Sequence, residues 1–453
     1  MRIIIEGAGE VGSHLAKMLR AEANDVTVID NDNGRLDNLR AGVDVVTIKG
    51  KTASISTLQE AGAAKADLYI GVCPNVPQEV NIVGAMLAKK LGTGKVLARI
   101  NDEGLLSAEN NVLYKDMGLD MMFCPEKMAS DEIIENLKHN SAAETLDFAR
   151  GKLQVAVFKL DEGTPVLDMK LGDFMASLSP EERGEFRVIA VSKNGQTIIP
   201  DINTKFNYGD TVFTISRREG VERLFSHFGK EGHAVRSAMI FGGGAIGAMV
   251  AEQLSRGGIK VKIIEKDKDK CIELAEKLSD NVMVVRGDGR NSDFLYEEGI
   301  RDYDAFIALT DSDETNVLAC VVAKKFGVSR TIAEVENMEY LTLAEEMGVD
   351  TIINKKLITA GRVFKFTLSG KARFVRYMPG SGTEIIEYNV APKSAITKAA
   401  LKDIDFPSNA IIGGVIRGSE SFIAVGDTVI EPYDRVAIFA LPETLKEIDK
   451  LFR

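Results

Sequence analysis

One repeat constrains this chain more than any other feature. "MRIIIEGAGEVG" sets Gly7, Gly9 and Gly12 in the spacing G-x-G-x-x-G, and "SAMIFGGGAIG" sets Gly242, Gly244 and Gly247 in the same spacing 235 residues later. A lone glycine triplet carries little weight, so the flanks decide. "RIII" reads as a buried strand, and "VGSHLAKMLRAE" puts Val11, Leu15, Met18 and Leu19 on one helical face, so the first triplet falls between strand and helix. "DVTVID" is a second strand ending in Asp30, 23 residues after Gly7. In the second copy "AMIF" precedes the glycines, Ile246, Met249, Val250 and Leu254 stripe the helix, and "VKIIE" ends in Glu265, again 23 residues after its first glycine. This is the order of a dinucleotide-binding βαβ unit. Its glycines admit a pyrophosphate to the main chain, helix N-terminal N–H groups donate to the phosphates, and the acid takes a ribose hydroxyl.

The correspondence runs well past the glycines. "NIVGAMLAKKLG" from Asn81 faces "NVLACVVAKKFG" from Asn316 at the same offset of 235, "LARI" faces "IAEV", and "VVTIKGKT" and "VMVVRGDG" end equivalent strands. Each half thus predicts a parallel sheet of about six strands. After each comes a shorter stretch rich in β-branched residues, 153–216 and 374–440, with matching turns "NYGDTVF" and "EPYDRVAIF". The expected fold class is α/β, with two Rossmann-like parallel-sheet domains each followed by a small α+β lobe. The expected boundaries are 1–125 and 233–355 for the nucleotide-binding domains, 126–150 and 356–372 for connecting helices, and 151–232 and 373–453 for the small lobes.

Composition narrows the partners. Hydrophobic residues are 45% and charged residues 27%, as in an ordinary globular protein, and the net charge of -11 comes without any cationic cluster, which argues against nucleic acid. The longest uncharged stretch, Ser237 to Ala251, holds four glycines and is too short for a bilayer span. The N-terminus lacks the features of a secretory signal, so a cytoplasmic location is expected. Cys73, Cys124, Cys271 and Cys320 are widely spaced, form no metal-ligand pattern and read as small apolar residues. No metal site is expected.

The alternating order of nucleotide-binding and small lobes, with "IIIEGAGEVG", "VIDND", "LARI", "VVRGDG" and "TDSDETN", resembles the TrkA potassium-uptake regulatory subunits, whose nucleotide-binding lobes are called RCK or KTN domains. The resemblance covers essentially the whole chain. It implies a peripheral protein on the cytoplasmic face of the membrane, a homo-oligomer (dimer or tetramer) that forms a gating ring under a TrkH-like potassium-translocating subunit. It further implies that NAD(H), ATP or ADP act as regulatory ligands and that there is no catalytic residue. Carried over by position, the phosphate turns are Gly7, Ala8, Gly9, Glu10, Val11 and Gly12 in the first copy and Gly242, Gly244, Ala245, Ile246 and Gly247 in the second. Asp30 and Glu265 would hold the riboses, Arg99 would face the phosphates, and Asp288 would lie near the base or ribose. Two positions depart from this symmetry. Lys51 stands where the second copy has Asp288, and Glu334 stands where the first has Arg99, so the second site is expected to take fewer negative charges or a different ligand. The loop "CPNVPQEVN" also lacks the acidic character that "TDSDETN" keeps.

An NAD(P)-dependent oxidoreductase with duplicated domains is the alternative, since this fold also serves hydride transfer. The available acid–base imidazoles are His14, His139, His227 and His233, and their contexts suit surface or capping roles. A dinucleotide-sensing transcription factor would need a basic helix-turn-helix, and none is visible.

Overall fold

The computed structural model describes residues 1–73, 76–138, 144–148, 151–193, 196–229, 235–364, 366–367, 372–378, 383–441 and 444–452. Pro74 and Asn75 of the first loop, His139 and His233 lie outside them.

The chain opens with β1 (Arg2–Glu6), α1 (Glu10–Ala21), β2 (Asp25–Asp30), α2 (Asn33–Gly42), β3 (Val46–Lys49), α3 (Ile55–Glu60), β4 (Leu68–Gly71), α4 (Gln78–Leu91), β5 (Lys95–Arg99), α5 (Ala108–Asp116) and β6 (Met121–Phe123). These strands form one parallel sheet in the order β3-β2-β1-β4-β5-β6. Its centre is apolar because β1 and β4 are covered on both faces, with Ile3, Ile4, Ile5, Leu68, Tyr69 and Ile70 buried. Between β1 and β4 the strand order reverses direction, which opens a crevice at their C-terminal ends.

Next come α6 (Pro125–Lys138), β7 (Glu144–Phe148), β8 (Leu153–Lys159), α7 (Leu171–Ser177), β9 (Phe186–Lys193), β10 (Gln196–Ile198), β11 (Thr211–Arg217) and α8 (Val221–His227). The first connecting helix is thus shorter than its expected span, because residues 144–148 pair antiparallel with β8 as a strand. This lobe is a five-stranded sheet ordered β10-β9-β11-β8-β7.

The second half repeats the plan with β12 (Ser237–Phe241), α9 (Ala245–Arg256), β13 (Lys260–Glu265), α10 (Lys268–Lys277), β14 (Val282–Arg286), α11 (Ser292–Glu297), β15 (Ala305–Ala308), α12 (Asp313–Lys325), β16 (Arg330–Glu334), α13 (Met338–Glu346) and β17 (Thr351–Ile353). Its sheet order, β14-β13-β12-β15-β16-β17, is that of the first half. The chain continues through α14 (Lys355–Phe364), β18 (Ala372–Met378), β19 (Thr383–Asn389), β20 (Ala410–Arg417), β21 (Glu420–Ile423), β22 (Arg435–Ala440) and α15 (Leu445–Leu451), whose strands form a second five-stranded sheet.

Two compact units result, and they do not follow the repeat boundary. One holds residues 1–129 with 355–367, and the other holds 130–354 with 368–453. In the first, α14 packs on α1 although hundreds of residues separate them. Lys95, at the start of β5, places its ammonium 5.4 Å from the centre of the Phe366 ring just beyond α14. In the second, the later part of α6 is held by Gln253 Nε2 donating to Ser130 Oγ at 2.9 Å and by the buried Arg330 donating to the Asn136 carbonyl at 3.0 Å. The second repeat therefore gives α14 to the unit of the first sheet, and the first repeat gives the later part of α6 to the unit of the second. Within this unit the two small lobes share one core, in which Leu153, Val155 and Phe213 meet Ile385, Ile416 and Phe439. Among the described residues, no helix is long and apolar enough to cross a membrane.

Candidate nucleotide sites

The first site is built where β1 ends. Gly7 adopts φ +114°, open to glycine and costly for other residues, and its N–H donates to the Ile29 carbonyl at 2.8 Å, tying the turn to β2. The next N–H, of Ala8, donates to Asp30 Oδ2 at 2.6 Å, and Asp32 N–H donates to Oδ1 at 2.9 Å. These bonds fix the buried Asp30 carboxylate beside the turn. Gly9 is the N-cap of α1 and supplies no capping side chain, so the helix offers its first N–H groups and its positive dipole end to an anion. Glu10 stands in that first turn, 3.2 Å from the Lys356 ammonium, and Val11 and Gly12 follow on the helix.

A cavity of about 170 Å³ adjoins this turn, lined by Asp30, Asn31, Asp32, Arg35, Thr52, Cys73 and Val76. Arg35 lies 3.8 Å from Asp30 and 3.9 Å from Asp32, so the cavity carries acid and base side by side. Only Asp30 of this set is a residue that sequence reasoning selected. Arg35 sits in the first turn of α2, and the others on the loops after β2, β3 and β4, which the topology gathers at one end of the sheet.

Arg99, at the end of β5, is bound to Glu126 at 2.9 Å, while its Nε is buried without a hydrogen-bond partner. The cation expected to face phosphates is therefore already paired on one side. Asn81 explains why the segment from Asn81 recurs at Asn316. Its amide accepts from Cys73 N–H at 3.0 Å and donates to the carbonyls of Cys73 and Arg99, both at 3.2 Å, joining the ends of β4 and β5. Asn316 does the same between Thr310 and Glu334.

The second site has the same skeleton. Gly242 adopts φ +108° and donates to the Ile264 carbonyl at 3.0 Å. Gly243 N–H donates to Glu265 Oε2, and Asp267 N–H donates to Oε1, both at 2.9 Å. Burial pushes the Glu265 carboxyl up, but these two N–H donors together with the Lys270 charge and the Lys266 N–H outweigh it and hold the group below the usual carboxylate range. Gly244 caps α9, and Ala245, Ile246 and Gly247 form its first turn. Asp288 sits on the loop after β14 and is paired with Arg290 at 2.6 Å, a bond that lowers its pKa. Glu334 is buried at the end of β16.

The TrkA-N domain family model matches residues 3–125 and 238–355, and the TrkA-C domain model matches 155–229 and 385–453. Among curated relatives, a Trk system potassium uptake protein TrkA homolog of Archaeoglobus fulgidus is 34% identical over 453 residues, covering 100% of both chains. The Trk system potassium uptake protein TrkA of Halomonas elongata is 31% identical over 458 residues, covering 100% of this chain and 99% of its own. Among solved structures, the GsuK RCK domain superposes with a TM-score of 0.60 at 16% identity, covering 100% of this chain and 94% of that one. The GsuK channel bound to NAD gives a TM-score of 0.60 at 16% identity, over 100% of this chain and 78% of that chain. With both domain types matched twice and relatives aligned from end to end, the chain belongs to the TrkA family of Trk system potassium uptake proteins.

Proposed function

We propose that this chain is a nucleotide-binding regulatory subunit that gates a membrane potassium channel or transporter, acting from the cytoplasmic face on a TrkH-like subunit. The observation that carries this reading is the pair of preformed turns, in which Ala8 and Gly243 N–H groups already hold Asp30 and Glu265 beside an uncapped helix N-terminus. The TrkA relatives supply the potassium uptake context. The ligand is NAD(H), ATP or ADP, with adenosine in the cavity lined by Asp30, Arg35 and Val76 and the phosphates on α1. Arg99 and Glu126 border the phosphates in the first half, while Glu334 and Asp288 give the second half a more anionic site.

The chain assembles with copies of itself, as a dimer or tetramer that builds a gating ring. Both repeats leave matching apolar side chains exposed, Val83, Leu113 and Met117 on or just after α4 and α5, and Leu318, Leu343 and Met347 on or just after α12 and α13. It turns over no substrate. His14, the imidazole closest in sequence to the glycine turn, has Nε2 buried without a partner and is held neutral, which does not suit proton exchange with a ligand.

Asp30→Ala is expected to weaken nucleotide binding at the first site by about 1–3 kcal/mol, because a charged hydrogen bond to ribose is lost. Calorimetry with NADH, NAD, ATP and ADP measures it. Reconstituted with its membrane partner, the wild-type chain should make potassium flux respond to nucleotide, and Asp30→Ala should assemble but respond only at much higher concentration. A ligand shifts open and closed populations only by its difference in affinity for them, so weak binding must blunt gating. Steady NADH oxidation by a cellular metabolite, abolished by the same substitution, would move the chain to the oxidoreductases.

A further inference from the structure

The two repeats differ at one buried point beside the glycine turn. In the first, β1 ends in Glu6, a carboxylate only 1% exposed that accepts from the hydroxyl of the fully buried Tyr69 and from Ala53 N–H at 2.8 Å. At the equivalent places the second repeat has Phe241 and Phe306, a purely apolar pair. Two neighbours differ in step with them. Gly84 leaves room for the Glu6–Tyr69 pair, since a Cβ there would lie 2.5 Å from both the Glu6 and Tyr69 oxygens, whereas the second repeat has Ala319. Thr52 is replaced by Gly289, whose missing Cβ would meet the Phe241 ring at 2.6 Å. The second repeat seats this loop on an aromatic ring; the first grips it by a main-chain amide.

Burying a carboxylate where an apolar side chain fits is unfavourable, and burial pushes the Glu6 carboxyl up from its ordinary value. What the carboxylate obtains in return is the Ala53 N–H, from a residue at φ +55°, a left-handed conformation alanine rarely adopts without support. The residue before it, Thr52, lines the cavity that adjoins the glycine turn. We infer that Glu6 is a positioning residue of the first nucleotide site, holding the loop after β3 in the strained shape that presents Thr52 to an adenine nucleotide. The inference rests on the reading of that cavity as a nucleotide site.

Hydrogen exchange on the full-length chain tests both and separates them. In the ligand-free wild type the Ala53 amide should exchange at least about tenfold more slowly than an exposed loop amide, because its acceptor is buried. ADP should protect the segment 7–12 in a dose-dependent way. Glu6→Gln, which keeps a carbonyl oxygen for Ala53, should need an ADP concentration within about threefold of wild type for half-protection, and Glu6→Leu at least about tenfold more, as expected for loss of a buried charged hydrogen bond. Thermal unfolding shows whether Glu6→Leu is folded. Absence of ADP- or NADH-dependent protection in the wild type would overturn the nucleotide reading and this inference with it. Normal ADP protection with a folded Glu6→Leu at wild-type concentration, or with a fast Ala53 amide in the wild type, would overturn the positioning role alone.

Discussion

Gly12→Ala is expected to weaken nucleotide binding by the first repeat severely and to destabilise its sheet by about 3 kcal/mol or more. A Cβ on Gly12 would sit 1.8 Å from the Gly7 carbonyl oxygen and 2.9 Å from its carbon, which are main-chain atoms that no rotamer change can move. Gly7 has no room to retreat, since its own missing Cβ faces the backbone of Val72 and Cys73 at 2.8–2.9 Å. The helix must therefore lift from the turn, and the N–H groups proposed to hold the phosphates move with it. Calorimetric affinity for ADP should fall at least about 100-fold, with a lower unfolding midpoint. Gly244→Ala in the second repeat is the contrasting case. Nothing lies within 4 Å of its added methyl, so the fold should survive while access of a pyrophosphate to the turn is reduced. Wild-type stability and affinity in Gly12→Ala would show that the turn has slack the geometry denies.

Acid should destabilise the first unit through His14. This imidazole lies on α1, its Nε2 buried without a partner, and burial is the main reason its pKa falls from 6.5 to about 4, with Lys356 and Lys17 repelling the proton further. Protonation is thus easier in the unfolded chain. The stability associated with neutral His14 is complete above pH 6.5 and is lost as the pH falls through about 4. A shift of this size corresponds to roughly 3 kcal/mol once the pH is below both values. His14→Gln, which cannot take the proton, should flatten denaturant stability between those limits. Parallel pH profiles for wild type and variant would refute the assignment.

The residues that sequence made legible share one property: their chemistry is local. Gly7, Gly12 and Asp30, and likewise Gly242, Gly247 and Glu265, are tied together across one β-turn-α-β unit, so spacing alone places them. Arg35, Thr52, Cys73 and Val76 were missed because they meet only when strands β1 to β4 assemble in their non-sequential order. Arg99 was legible as a cation at a strand end, but its ion pair with Glu126 depends on where α6 begins relative to β5. Asn81 and Asn316 stood out as a repeated segment, and only the strand ends they bridge give the reason. The exchange of connecting helices left no sequence signal either. Leu357, Ala360, Val363 and Phe364 of α14 are buried, and their apolar character alone does not say against which repeat.

That exchange sets a limit on how the chain can be divided. A cut between the repeats would leave α1 without α14 and would take the anchored end of α6 away from Gln253 and Arg330. Each fragment would then carry a spare helix and an uncovered surface, and it could satisfy both only by trading helices with another molecule. For a single-repeat fragment that trade would be bimolecular and would weaken on dilution. Joining the two copies on one polypeptide makes the trade intramolecular, with an effective concentration set by the linker and a ratio of one first repeat to one second repeat that expression level cannot disturb. The two repeats, which differ at Arg99 and Glu334, are thereby held as obligate partners within every molecule.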